Sequence, residues 1–149
     1  MKEQTPVLSI GIIFRNDIRC IEHCLKALQP LRDAIPSELV MADTGSEDGS
    51  REVAEKYADI LIDFPWVNDF AAARNAVMER CSGKWHMAVD TDEYLNGGID
   101  ELVQTLEADQ GITNMYRVVI RSYGNYELEG DYSDFLALRM VRMSTGMRY

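Results

Sequence analysis

The stretch Trp85-His86-Met87-Ala88-Val89-Asp90-Thr91-Asp92-Glu93 decides the fold. A short apolar run bounded by turn signals reads as a buried strand. Here the strand, Trp85–Val89, leads straight into an acidic cluster. Upstream the pattern recurs: Val7–Phe14 leads into Arg15-Asn16-Asp17, and Glu38–Ala42 leads into Asp43-Thr44-Gly45-Ser46. Ile60–Phe64 is a further strand, ended by Pro65.

Helical spacing fills the gaps. Ile18, Ile21, Leu25 and Leu28 share a face, with Asn16 or Asp17 as the cap and Pro30 as the stop. Ser46 is the candidate cap of a helix whose apolar side is Val53 and Tyr57, with Glu47 and Asp48 near the positive end of its dipole. Phe70–Cys81 is alanine-rich and helical, capped by Asn68 or Asp69 and followed by Gly83. Ile99, Leu102, Val103 and Leu106 form another amphipathic helix after the Gly97-Gly98 turn. Four strand–helix alternations predict an α/β, Rossmann-like, mostly parallel sheet flanked by helices over residues 1–107. Residues 108–149 differ: Asn114–Arg121 and Phe135–Met143 are strands with no helix between them, giving a mixed or antiparallel region around the polar Tyr123–Ser133 stretch.

The chain has 149 residues, the size of one domain. Its 46% hydrophobic and 27% charged composition is that of a globular protein. The formal net charge of -10 opposes nucleic-acid binding and requires local compensation for any anionic ligand. Cys20, Cys24 and Cys81 are odd in number and lack CxxC spacing, so they read as free thiols in a reducing, cytoplasmic setting. Val7–Phe14 is too short to span a bilayer, which takes about 20 residues. Membrane association through segments outside this chain stays open.

In an open α/β sheet, ligands bind beyond the carboxyl ends of the strands. Three clusters lie at such ends, so they are expected to form one site. Asp90 and Asp92, at i and i+2 on an extended segment, would face the same way. Paired carboxylates call for a cation, and an all-oxygen set suits Mn²⁺ or Mg²⁺. Asp43 at a strand end can accept an N–H from a nucleobase, and Gly45 permits close backbone approach. Arg74, in register between Phe70 and Val77, can reach a phosphate or a carboxylate. His23 and His86 show no zinc spacing.

The ordered blocks Ser9–Asp17, Val40–Ser50, Ala72–Ala76 and Gly83–Glu93 together resemble the family 2 glycosyltransferases, inverting enzymes of the GT-A fold. The resemblance runs from about Val7 to Leu106. Its Trp66…Asp69-Phe70-Ala71-Ala72-Ala73-Arg74-Asn75 variant looks like a bacterial branch whose members often carry tetratricopeptide repeats downstream.

This resemblance implies metal-dependent transfer of a sugar from a nucleotide-sugar donor, usually a UDP-sugar, with inversion. The backbone near Phe14, Arg15 and Asn16, with the Asp43 carboxylate, would hold the base. Arg74 would support the nucleotide or its phosphates, Asp90 would approach the ribose or sugar, and Asp92 would ligate the metal. Residues 1–107 would be the donor half and residues 108–149 the start of the acceptor side.

The family's general base is an acid in a later segment, so it is expected beyond Tyr149 and the domain is expected to be truncated, with apolar surface available for self-association. The acids after Asp92, namely Glu127, Glu129, Asp131 and Asp134, read as a solvated loop. The acceptor is not legible. A non-catalytic nucleotide-sugar-binding or scaffold module is the alternative. A haloacid-dehalogenase-type phosphatase or phosphotransferase fits less well, since Tyr94 stands where it wants Thr or Val. No P-loop or GxGxxG motif is present.

Overall fold

The computed structural model describes residues 5–123 and 128–149. Among the described residues four strand–helix pairs alternate as the apolar periodicity requires, and two further strands follow. They are β1 (Leu8–Phe14), α1 (Ile21–Ala34), β2 (Ser37–Asp43), α2 (Ser50–Tyr57), β3 (Ile60–Asp63), α3 (Phe70–Met78), β4 (Trp85–Ala88), α4 (Ile99–Glu107), β5 (Met115–Tyr123) and β6 (Tyr132–Arg142).

They form one sheet in the order β3-β2-β1-β4-β6-β5. Strands β1 to β4 are parallel, whereas β6 runs antiparallel to both β4 and β5. The expected parallel half followed by an antiparallel region is therefore observed.

Burial follows from the layering. β1 and β4 are interior strands and are buried almost throughout, as both-face coverage demands. Leu8, Ile10, Ile12, Leu25, Leu28, Leu31, Leu39, Met41 and Trp85 build the larger core on one face. Val40, Ala42 and Val77 build the smaller core under α3. Two glycines permit the close approach of α3 and its C-terminal turn. A Cβ on Gly11 would collide with the His86 ring and stand 2.9 Å from Val77 Cγ1. A Cβ on Gly83 would stand 2.8 Å from the Ser9 backbone nitrogen.

Several local expectations are corrected. Pro30 does not end α1, which continues to Ala34. Pro30 is exposed, so the Lys26 carbonyl it leaves without a helical donor faces water. Neither Asn16 nor Asp17 caps α1 with its side chain, and Ile18 lies outside the helix. Cys20 is the N-cap residue, and the Asp17 carbonyl accepts the Cys20 and Ile21 amides. Ser46 does not cap α2; Gly49 holds that position at φ 95°. Asp69 is the cap of α3, accepting the Ala72 amide at 3.0 Å. Cys20 and Cys24 are buried free thiols, and burial above all pushes the Cys24 thiol up to about 12.

The β5–β6 ribbon exposes apolar side chains on both faces, among them Val119, Leu136 and Phe135. No helix among the described residues is long and apolar enough to cross a membrane.

The two glycines give an ordered prediction. Gly83→Ala meets backbone and should cost more than Gly11→Ala, which meets side chains; overpacking of this kind typically costs about 1–3 kcal/mol. Adding His86→Ala should recover stability in the Gly11→Ala background and not in the Gly83→Ala background. Urea unfolding of the four proteins measures both differences.

Candidate donor-binding site

The carboxyl ends of β1, β2 and β4 lie side by side, with β1 in the middle. Neighbouring strands stand about 4.8 Å apart, so Asp43 and Asp90 project from positions roughly 10 Å apart across the sheet edge. A nucleoside and its diphosphate bridge such a span, and a bare phosphate does not.

The β1 and β2 loops are tied to each other. Phe14 is buried, and its carbonyl accepts both the Thr44 amide at 3.0 Å and the Thr44 hydroxyl at 3.1 Å. The Asn16 amide donates to Ser46 Oγ at 3.1 Å, and Asn16 Oδ1 accepts the Glu47 amide at 2.7 Å. Asn16 sits at φ 55°, a left-handed conformation that Asn tolerates. The Asp17 and Ile18 amides donate to Ser50 Oγ and Asp48 Oδ2. The amides expected to meet a base are therefore consumed by the protein. The polar features left here are the exposed Arg15 side chain and the main-chain carbonyls of Arg15 and Asn16, which accept no hydrogen bond among the described residues.

Asp43 is buried, 5% exposed. Its Oδ1 accepts the amides of Gly45 at 3.0 Å and Ser46 at 2.8 Å. Among the described residues its Oδ2 is met by Arg51 at a long 3.5 Å, which leaves it lone-pair capacity for a further donor. Burial raises the Asp43 carboxyl, but hydrogen bonds from Ser46, Gly45 and Arg51 outweigh it and hold the group below the ordinary range. Arg51 is also held by Asp63.

The residues after β4 are not extended, and this corrects the same-face expectation for Asp90 and Asp92. Asp90-Thr91-Asp92-Glu93 forms a tight turn in which the Glu93 amide donates to the Asp90 carbonyl at 3.0 Å. The Asp90 amide donates back to Glu93 Oε2 at 3.0 Å. Thr91 is buried and its hydroxyl donates to Asp17 Oδ2 at 2.8 Å, joining this turn to the β1 loop.

Asp90 lies between two arginines. Arg74 reaches its Oδ1 at 2.7 Å and Arg139 its Oδ2 at 3.2 Å, and Arg139 also pairs with Glu93. Burial raises the Glu93 carboxyl despite these partners. Asp92 is exposed and makes no hydrogen bond or ion pair among the described residues. No group of three or more His, Cys, Asp or Glu among the described residues could hold a metal by itself. The donor set thus fits a hard divalent cation only if the ligand supplies most of the coordination, with Asp92 as the uncommitted carboxylate.

Arg139 and Arg51 belong to this site, and motif reading missed both. Arg139 lay inside an apolar strand, 49 positions from Asp90. Its signal is the register shift: Tyr116 faces Met140 and Arg117 faces Leu138, so Arg139 has no partner on β5 and is turned toward the loop by a bulge. Among the late acids, Glu127 lies outside the described residues. Glu129 and Asp131 precede β6, whereas Asp134 lies within β6 and chelates Arg121 at 2.8 Å through both oxygens. Arg121 accordingly lowers the Asp134 carboxyl.

The family model described as glycosyl transferase family 2 matches residues 9–146. The chain belongs to glycosyltransferase family 2.

Among its relatives is the SPbeta prophage-derived glycosyltransferase SunS of Bacillus subtilis, 29% identical over 112 residues, covering 71% of this chain and 26% of SunS. Two solved structures share the GT-A fold. The mannosyltransferase PcManGT of Pyrobaculum calidifontis, in complex with GDP-Man and Mn²⁺, has a TM-score of 0.62 and 20% identity, over 75% of this chain and 35% of that one. Glucosyl-3-phosphoglycerate synthase of Mycobacterium tuberculosis, in complex with Mn²⁺, UDP and glucosyl-3-phosphoglycerate, has a TM-score of 0.58 and 21% identity, over 74% of this chain and 42% of that one. The chain spans between 21% and 43% of the length of the curated relatives it matches.

The lowered Asp43 carboxyl sets a pH dependence. A carboxylate depressed below its unfolded value of about 3.9 stabilises the fold above that pH, and the contribution is lost as pH falls through the folded value. Asp43→Asn should therefore cost about 1–3 kcal/mol at neutral pH. The gap should close on acidification below about pH 4. Urea unfolding at both pH values decides it; a gap that stays constant would mean that the charge of Asp43 is not what matters.

Proposed function

We propose that the chain binds a nucleotide-sugar donor, with UDP-sugars as the preferred class, and takes part in metal-dependent transfer of the sugar with inversion. The single observation that carries this reading is the convergence of Asp43, Arg74, Asp90 and Asp92 on one sheet edge in a family 2 glycosyltransferase chain. The neighbours with UDP or GDP-Man and Mn²⁺ support the donor class.

Asp43 Oδ2 accepts the imide N–H of uracil, and the exposed Arg15–Asn16 backbone lies beside the base. Asp92 holds Mn²⁺ or Mg²⁺, with Asp90 beside it. When bound, the cation supplies Lewis-acid stabilisation of the departing diphosphate. Arg74 reaches the phosphates from α3 while staying anchored on Asp90, whose own charge Arg74 and Arg139 neutralise. With Asp90 and Glu93 both paired to arginine, Asp92 is the unpaired carboxylate a diphosphate would meet at this turn.

In the transfer, an acceptor hydroxyl attacks the anomeric carbon and the bond to the diphosphate oxygen breaks. The nucleoside diphosphate leaves, and a general base takes the hydroxyl proton. No acid among the described residues is assigned as that base. The acceptor-side region begins with the β5–β6 ribbon, and its exposed apolar side chains are the surface through which the chain would self-associate.

Calorimetry with UDP should show binding in Mn²⁺ and little in EDTA. Asp92→Asn should remove most of the metal-dependent part. Asp43→Ala should weaken UDP by about 1–3 kcal/mol and narrow its preference over CDP, since cytosine lacks the imide donor. Equal UDP affinity in EDTA and Mn²⁺ would exclude the metal-dependent reading. An unchanged UDP-to-CDP ratio would remove Asp43 from base selection.

A further inference from the structure

Arg74 has a second neighbour, brought to it by the chain that follows β6. The Gly146 amide donates to the Met143 carbonyl at 3.2 Å, and Gly146 at φ 69° turns the chain. The Met147 amide then donates to Thr145 Oγ1 at 3.2 Å. This turn delivers Tyr149 to α3, where Asn75 receives it at two points. Asn75 Oδ1 accepts the Tyr149 amide at 3.0 Å, and Asn75 Nδ2 donates to the Tyr149 main-chain oxygen at 3.3 Å. One side-chain amide thus fixes both main-chain groups of a residue 74 positions away.

The clamp sets the Tyr149 ring against Arg74. Arg74 Cζ stands over that ring, 5.3 Å from its centroid, within the range of a cation–π contact. The same ring meets His86 edge on, with centroids 6.3 Å apart at 73°. His86 is 2% exposed, and burial first, then Arg74, push its imidazole down to about 4. At neutral pH His86 is therefore uncharged and adds no repulsion to Arg74.

The geometry makes this ring a brace and not a plug. Arg74 spends an N–H on Asp90 Oδ1 at 2.7 Å. An aromatic face attracts the cation as a whole and engages no particular N–H, so the remaining guanidinium donors keep their capacity for a ligand. With the ring in place the Arg74 side chain is still 20% exposed. Arg74 also lines a cavity of about 10 Å³ with Gly11, Ile13, Val77 and His86, so close packing does not hold it there. An arginine has many rotamers, and a side chain already confined loses less freedom when a phosphate arrives. Asp90 and Tyr149 together supply that confinement.

We propose that Tyr149 is a positioning residue for the transfer: held on α3 by Asn75, its ring keeps the Arg74 guanidinium in the pose that meets the donor's phosphates. The proposal deepens the donor-site reading and rests on it, because Arg74 is the group through which Tyr149 acts. It ties the chain that follows β6 to the donor site through one ring.

Calorimetry with UDP in Mn²⁺ on the 149-residue chain tests it, together with the Arg74 Nε–H resonance of the ¹⁵N-labelled chain, assigned by its loss in Arg74→Gln. Tyr149→Leu removes the ring and should weaken UDP by about 3–10-fold, the range of a lost cation–π contact. It should also shift the Arg74 signal before any ligand is added. Asn75→Ala, which releases the clamp, should do both as well. Tyr149→Phe keeps the ring face and should match the unaltered chain in both readouts. Four results would overturn the proposal: UDP affinity unchanged in Tyr149→Leu, equal weakening by Tyr149→Phe, weakening with the Arg74 signal unmoved, or tighter binding in Tyr149→Leu, which would make the ring a cover. If the unaltered chain does not bind UDP in Mn²⁺, the donor-site reading falls and this proposal with it. UDP binding that is indifferent to Tyr149 sinks the proposal alone.

Discussion

The carboxylate of Asp90 is the point on which the site depends. One oxygen is held by Arg74 from α3 and the other by Arg139 from β6, so this side chain adds a polar tie between the parallel half of the sheet and the antiparallel extension that β4 and β6 already pair. At the partly exposed positions these groups occupy, each contact is worth less than a buried pair. Removal of one arginine would still leave charge facing charge across the turn. With both carboxylate oxygens of Asp90 engaged, Asp92, two positions later in the turn, is the acid left without a partner among the described residues.

The loops around that anchor are ordered by short polar side chains and not by apolar packing. Ser46, Ser50, Asp48 and Asn16 satisfy the amides of residues 16–18 and 47, and Thr91 links the β4 turn to Asp17. A parallel sheet edge exposes backbone groups that need partners. Meeting them within the protein leaves side chains, not main-chain amides, as the ligand-facing groups. Preorganisation of this sort lowers the ordering cost of binding.

The sheet half of the fold was legible because each strand is a short apolar run followed by a polar turn, and each helix carries a clear apolar face. Two local errors share one cause. Pro30 and Ser46 carry strong local signals, but tertiary partners decided the outcome: an exposed carbonyl tolerates Pro30, and Asn16 claims Ser46. Asp43, Arg74 and Asp90 were legible as strand-end or helix-register residues, and the structure does bring Arg74 onto Asp90. Arg139 was not, because only a bulge in β6 turns it out of the strand register, and a bulge has no signature in residue type. The turn at Asp90–Glu93 was likewise missed, since DxD spacing is compatible with either an extended or a turned backbone.

If the carboxyl-end loops of β1, β2 and β4 form one donor site, amide hydrogen exchange with and without UDP and Mn²⁺ reveals it most directly. Protection on ligand addition should appear together in residues 15–19, 43–50 and 89–95, and the β5–β6 ribbon should be unaffected. Protection confined to that ribbon, or absent from the β2 loop while present after β4, would contradict the account.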